Sequence, residues 1–312
     1  MLELAAKARH RRTMDERSIR LAGAAIVAAQ VSVNVGAALA KHVFPVVGPE
    51  GVAMLRTGIS AAVLLAAVRP WRALRNAAPA KGPALPLVGY GLSLGGMNLL
   101  IYWSFERIPI GIAVTIEIAG PLALVLLSSR SARDLFWFAL AVASLLLLVP
   151  WPSRPAPVDP VGIAFALGAA ACWALYILFG RRAAAVGGTN ALTLGMIVAC
   201  AVTFPAGLAS ADLASWTPEV LSIGLAVALL SSMLPYWLEM TAFPRLTSGI
   251  FSVITSCAPA IAALVAFAIL GERLTCVQWL SVVLMMIASI GGTMGRARRA
   301  RLPLAAKDRA AC

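Results

Sequence analysis

Ten mostly apolar runs of roughly 20 residues follow one another along this chain, and they leave it very few folds. They fall near residues 21–40, 50–68, 85–104, 110–128, 135–150, 161–179, 191–208, 219–239, 248–270 and 277–295. As helices, runs of that length match the ~30 Å hydrocarbon core of a bilayer. Lipid offers the backbone no hydrogen-bond partners, so each run must close its own bonds as a helix, and the alternation of a barrel is absent. Composition agrees: 61% of the 312 residues are hydrophobic and 12% are charged, where a soluble domain carries about 25% charged residues. The expected fold is an all-α polytopic membrane protein with ten transmembrane helices.

The formal net charge of +13 raises nucleic acid as a partner, but its placement argues otherwise. Of 26 basic residues, 21 fall on one side of this layout: Lys7 to Arg20 before the first run, Arg296 to Arg309 after the last, and the connections holding Arg69, Arg72, Arg75 and Lys81, Arg130 and Arg133, Arg181 and Arg182, and Arg245. Lys41, Arg107, Arg154 and Arg273 lie on the other side, and Arg56 lies inside a run. This asymmetry predicts a multi-pass membrane protein with both termini in the cytoplasm. Nucleic-acid binding would need those charges gathered on one face. The first run is too long for a signal-peptide core of ~7 to 15 residues, so it is read as a retained span. Of the five cysteines, Cys172, Cys200 and Cys257 fall within runs, Cys276 at a run edge and Cys312 in the tail, so no disulfide scaffold is expected.

Inside the runs, charge is the exception that asks for a role. Glu117 sits in the fourth run just before Gly120-Pro121, and an ionisable group at lipid depth costs several kcal/mol unless a cavity, the bundle interior or a partner receives it. Arg56 and Glu117 each lie seven residues beyond the outer start of an inward-running span, at Pro49 and Ile110. At about 1.5 Å per residue both sit roughly 10 Å deep, so a direct pair or a shared polar cavity is geometrically open to them. Snorkelling of Arg56 to the outer interface is the alternative. Further candidates for a polar cavity are Asn34, Asn98, Tyr102, Trp173, Tyr176, Tyr236 and Thr255, each equally open to a packing role. Tyr102 and Trp103 also suit an aromatic interface belt, and Gly91, Gly95 and Gly96 read as close-packing positions. Pro235 and Pro259 can break helices and free carbonyls. Glu239, at the inner end of its run, reads as structural.

The second half repeats the first. Gly111 and Pro121 recur as Gly249 and Pro259, and Tyr102-Trp103 as Tyr236-Trp237. Five spans per copy reverse the second copy, giving two inverted five-helix repeats, an arrangement in which transporters hold substrate near the midplane. The domains expected are a basic head (1–20), a first repeat (21–150), a linker (151–160), a second repeat (161–295) and a basic tail (296–312). In this alignment Glu117 faces Thr255 and Arg56 faces Gly195, so the intramembrane charges belong to the first copy.

Several segments carry a family likeness: Ala40-Lys41, Leu55-Arg56, Gly91 to Asn98 (GLSLGGMN), Glu117 with Gly120 to Ala123, Ala171 to Leu178 (ACWALYIL), Leu234-Pro235-Tyr236 and Leu270-Gly271-Glu272. On these the sequence resembles the EamA branch of the drug/metabolite transporter superfamily, and within it the bacterial threonine/homoserine exporters. It departs from them at Ala258, where they carry a carboxylate before the proline, and at Asn34, where they carry glutamine. The resemblance implies export of small amino acids by proton antiport, with Glu117 as the proton-coupling group. Another metabolite or a drug-like compound remains an alternative cargo. No cofactor or metal is expected, and no enzyme: His10 and His42 lie outside or at the edge of spans, and no HExxH or GxSxG motif occurs.

Overall fold

The computed structural model describes residues 2–68, 84–127, 132–148, 158–183, 188–210, 216–242, 245–246 and 248–310. Within these, the side chains at 2–17, 84, 125–127, 236, 240, 248–249, 252 and 294–310 lie outside the description, Tyr236 among them. The expected basic connection at 69–83 and most of the linker at 151–160 also fall outside it.

Among the described residues there is no strand, and every apolar run is helical. The helices are α1 (Leu2–Val68), α2 (Ala84–Arg107), α3 (Ile110–Glu117), α4 (Ala119–Leu127), α5 (Ala132–Leu148), α6 (Pro160–Ala183), α7 (Gly188–Ser210), α8 (Pro218–Ala228), α9 (Leu234–Ala242), α10 (Ser248–Ser256), α11 (Ala258–Leu270) and α12 (Cys276–Ala310). A π-helical turn, Leu229–Met233, joins α8 to α9. Among the described residues six helical stretches are long and apolar enough to cross a membrane: Ser18–Val68, Leu85–Arg107, Pro160–Ala183, Gly188–Ser210, Pro218–Glu239 and Cys276–Thr293.

The first of these, at 51 residues, is about twice what one crossing needs. Gly48 divides it. Its φ of 69° and ψ of 163° lie where only glycine is at ease, so the chain turns there between Pro45 and Pro49. Two further runs are broken rather than continuous: α3 hands over to α4 at Ile118, and α10 to α11 at Cys257. Cys172, Cys200 and Cys257 are half-buried free thiols, and Cys276 is exposed.

Apolar packing is uneven along the bundle. At the end where Gly48, Pro109 and Gly271 turn the chain, one shared core joins Ala37 to Leu55, Leu99 to Phe105, Ile108 to Ile116, Ala166, Ala169, Val227, Ala262 and Ala266. Toward the opposite end that core gives way to separate small clusters. One holds Ala22, Ile26 and Ala242; another Tyr90, Ala183 and Ala191; a third Ala61, Leu64, Leu94, Met196 and Ala199; a fourth Ile118, Leu122, Ala141, Met285 and Ala288. Among the described residues the apolar core is therefore continuous at the Gly48 end, the sealed end, and split among smaller clusters at the other, the divided end.

Candidate functional site

The two broken helices are explained by proline. Pro121 has no N–H, so it cannot supply the bond that the carbonyl four residues back, Glu117, would accept in an unbroken helix. Pro259 does the same to Thr255. The chain responds with a single turn residue at each place, Ile118 (φ −65°, ψ −16°) and Cys257 (φ −81°, ψ −4°). Glu117 thus ends α3 with its side chain half-buried and its own carbonyl next to the break.

Close neighbours hold this break in place. A Cβ built on Gly111 of α3 would stand 2.6 Å from the Ala263 Cβ of α11, and one on Gly120 of α4 would stand 1.9 Å from the Ala170 carbonyl oxygen of α6. Both are far inside van der Waals contact, so only glycine allows these approaches. Trp173, on α6, packs against the cluster containing Ile118 and Leu122, beside the turn that follows Glu117. Gly91 and Gly95 are likewise pressed against α7, whereas Gly96 meets only Cys172 Sγ at 3.3 Å.

Arg56, on the second arm of α1, is anchored away from Glu117. Its Nη2 donates to the Ser231 carbonyl at 3.2 Å and its Nη1 to the Tyr102 hydroxyl at 3.4 Å. The guanidinium also lies 5.7 Å from the Tyr102 ring centroid, within cation–π range. The Ser231 carbonyl is available for a sequence reason: Pro235, four residues on, cannot donate to it. The helix widens into the π-turn, and two side chains from α1 fill the gap, Arg56 on Ser231 and Ser32 Oγ on the Leu230 carbonyl at 2.7 Å. Among the described residues no ion pair joins Arg56 to Glu117, and both bonded nitrogens of the guanidinium are spent on Ser231 and Tyr102. The site therefore presents a carboxyl group at a helix break and a guanidinium that is bonded elsewhere.

The other candidates divide. Tyr102 is fully buried between Phe44 and Phe105 and belongs to the Arg56 site, not to an interface belt. Trp103 donates its Nε1–H to the Glu50 carboxylate and packs at a tilt against Phe165. Asn34 and Asn98 are buried and bond back to their own helices, at the Gln30 and Leu94 carbonyls. Thr255 bonds to the Phe251 carbonyl at 3.0 Å. Tyr176 stacks on Tyr90 with ring centroids 4.7 Å apart and hydroxyls 3.1 Å apart, in the clusters toward the divided end. Among the described residues no cluster of His, Cys, Asp or Glu is arranged to hold a metal.

Sequence reasoning missed two features. One is the Ser231 carbonyl, for which Pro235 was the available signal. The other is a polar knot at the sealed end. Lys41 Nζ meets Glu272 Oε1 at 2.6 Å and also donates to the Ile108 carbonyl at 3.3 Å. Glu272 Oε2 accepts the Ile110 N–H at 2.9 Å. Nearby, Arg107 pairs with Asp159 at 3.2 Å. The Val161 amide first, and the Arg107 guanidinium after it, hold the half-buried Asp159 carboxyl below its ordinary value.

Compared with known proteins, residues 160–293 match the EamA-like transporter family. Over 269 residues the chain is 45% identical to the threonine/homoserine exporter RhtA of Escherichia coli (strain K12), an alignment covering 86% of this chain and 90% of that protein. The threonine/homoserine exporter RhtA of Salmonella typhimurium (strain LT2) gives the same identity and coverage. One solved crystal structure shares the fold, with a TM-score of 0.56 at 18% identity, covering 89% of this chain and 96% of the other.

Proposed function

This chain belongs to the EamA-like transporter family, and from that premise we propose that it exports small amino acids of the threonine and homoserine type across the bacterial inner membrane in exchange for protons. The carrying observation is the half-buried Glu117 at a helix break, with the Arg56 guanidinium held by Ser231 and Tyr102 and not in direct contact with it. A zwitterion taken to lipid depth needs an anion for its ammonium and a cation for its carboxylate. Glu117 and Arg56 meet those two needs. Glu117 then holds either a proton or the ammonium, never both, and that exclusion couples the two fluxes.

The same reading takes the ten helical segments as two inverted five-helix repeats with both termini in the cytoplasm. Three observations support it. The breaks at Ile118 and Cys257 fall at matching places in the two halves. Ser144 and Ser281 exchange hydroxyl-to-carbonyl bonds of 2.8 and 2.9 Å, as residues astride a two-fold axis would. The family match over residues 160–293 nearly coincides with the second copy. In this orientation the continuous core at the sealed end faces outward, which supports reading the bundle as one that receives cargo from inside. Ala258, which brings no charge to the second break, favours a second reading in which the cargo is a less polar amino acid or metabolite.

The test is export from loaded proteoliposomes under an imposed pH gradient. Glu117→Gln is expected to abolish gradient-driven efflux of threonine and homoserine while the protein still inserts and folds. Full gradient-driven efflux by that variant would refute the coupling role. Gradient-driven efflux of leucine, with none of threonine, would move the assignment to the second reading.

A further inference from the structure

We propose that Lys41 and Glu272 are the outer gate of this transporter, positioning residues that clamp the Glu117 helix while its site faces the cytoplasm and that must part for cargo to leave. The inference rests on the orientation proposed above and adds residues to which neither the family match nor the relatives assign a role. Glu272 sits just past α11, after the left-handed turn at Gly271 (φ 70°). That turn brings its carboxylate onto two partners at once. One oxygen takes the Lys41 ammonium at 2.6 Å, and the other takes the N–H of Ile110, the first residue of the helix that ends in Glu117. A helix N-terminus has unpaired N–H groups and a partial positive charge, so a carboxylate there is doubly favoured. Lys41 closes the circle by donating to the Ile108 carbonyl.

Three separate parts of the chain are tied by this one carboxylate: the first arm of α1 through Lys41, the start of α3 through the Ile110 N–H, and the loop between α11 and α12 that carries Glu272 itself. Directly beneath lie Ile110, Ile112, Ala113 and Ala262, all essentially inaccessible, and the flush contact of Gly111 with Ala263. Any outward path from Glu117 has to separate α3 from α11 and α1, and those are the elements the knot joins. Its side chains retain 23% and 14% exposure, so water can compete for them when the helices begin to part. The neighbouring Arg107–Asp159 pair is different in kind. It ties the end of α2 to the start of α6, two helices packed along much of their length, and it is more exposed at 43% and 32%.

Sidedness of labelling tests the gate without reference to cargo. In a cysteine-free background, Ala113→Cys places a reporter in the closed outer core, and an impermeant maleimide is applied to oriented vesicles from either face. With the knot intact, labelling from outside is slow. Lys41→Met and Glu272→Gln are each expected to speed outside labelling by on the order of ten-fold, as the outward-open population grows. Lys41→Arg, which keeps the pair, and Asp159→Asn, which breaks only the neighbouring bridge, are expected to stay slow. A reversed pair, Lys41→Glu with Glu272→Lys, is expected to label fast, because a lysine at 272 repels the N-terminus of α3 that the carboxylate receives. Outside labelling of Lys41→Met and Glu272→Gln at the rate of Asp159→Asn would overturn the gate, and so would an increase from the cytoplasmic face alone. An error in the cargo assignment leaves these rates unchanged, so the two readings fail separately.

Discussion

Replacing Arg56 with methionine, which has similar reach and no charge, isolates what the guanidinium does for the π-turn. The change strips the Ser231 carbonyl of its donor, at about 1–3 kcal/mol for a buried acceptor left unpaired. It also removes the cation from the Tyr102 ring, at about 0.5–2 kcal/mol. The relief of no longer burying a charge offsets part of this, leaving a net loss of about 2 kcal/mol. The diagnostic step is to repeat the substitution on Pro235→Ala, where residue 235 regains an N–H that can reach the Ser231 carbonyl as the turn relaxes toward an ordinary helix. If Arg56 is bound there because Pro235 left the carbonyl free, the loss from Arg56→Met falls by at least ~1 kcal/mol in that background. Equilibrium unfolding of the four proteins in mixed micelles, analysed as a double-mutant cycle, measures this coupling. Additivity within ~0.3 kcal/mol would refute the argument that proline chemistry recruits the arginine.

Two further outcomes follow from the same geometry. Gly120→Ala drives a methyl to 1.9 Å from the Ala170 carbonyl oxygen, backbone that cannot step aside, whereas Gly58→Ala meets nothing nearer than Cys200 Sγ at 3.8 Å. Thermal unfolding in detergent should show Gly120→Ala destabilised by more than ~1–3 kcal/mol, the usual cost of overpacking, and Gly58→Ala close to unchanged. Asp159→Asn should be less stable than the parent at pH 7. Because the folded carboxyl titrates below its unfolded value, that advantage is present above about pH 4 and fades as pH falls through the folded value. Unfolding at pH 7 and pH 3 checks the sign: a gap that widened on acidification would contradict it.

Much of the helical layout was legible because the bilayer imposes a length. Runs of about 20 apolar residues had to be helices, and the long stretch from Ser18 to Val68 had to turn near its Gly-Pro pair. Pro235 and Pro259 marked helices that could break, but which side chain would take the carbonyl freed at Ser231 was not legible. The relation between Arg56 and Glu117 was not legible. Equal depth left a direct pair open, and depth says nothing about rotation around the helix axis. Arg56 turned instead toward a carbonyl 175 residues away. Asn34 and Asn98, flagged as cavity polar groups, bond within their own helices, an option open to any asparagine in a helix.

The amino-acid sequence by itself determined the apolar solvent and the helical character of the runs, because these follow from run length and composition. Only the tertiary structure decided which helices touch, which face of each one looks inward, and hence that Lys41 reaches Glu272 across 231 residues of chain. Lipid tails are as apolar as leucine, so a helix apolar all round carries no stripe that distinguishes a neighbour from the membrane. That choice falls to small residues such as Gly111 and Gly120 and to scattered polar bonds, whose partners exist only once the bundle has formed.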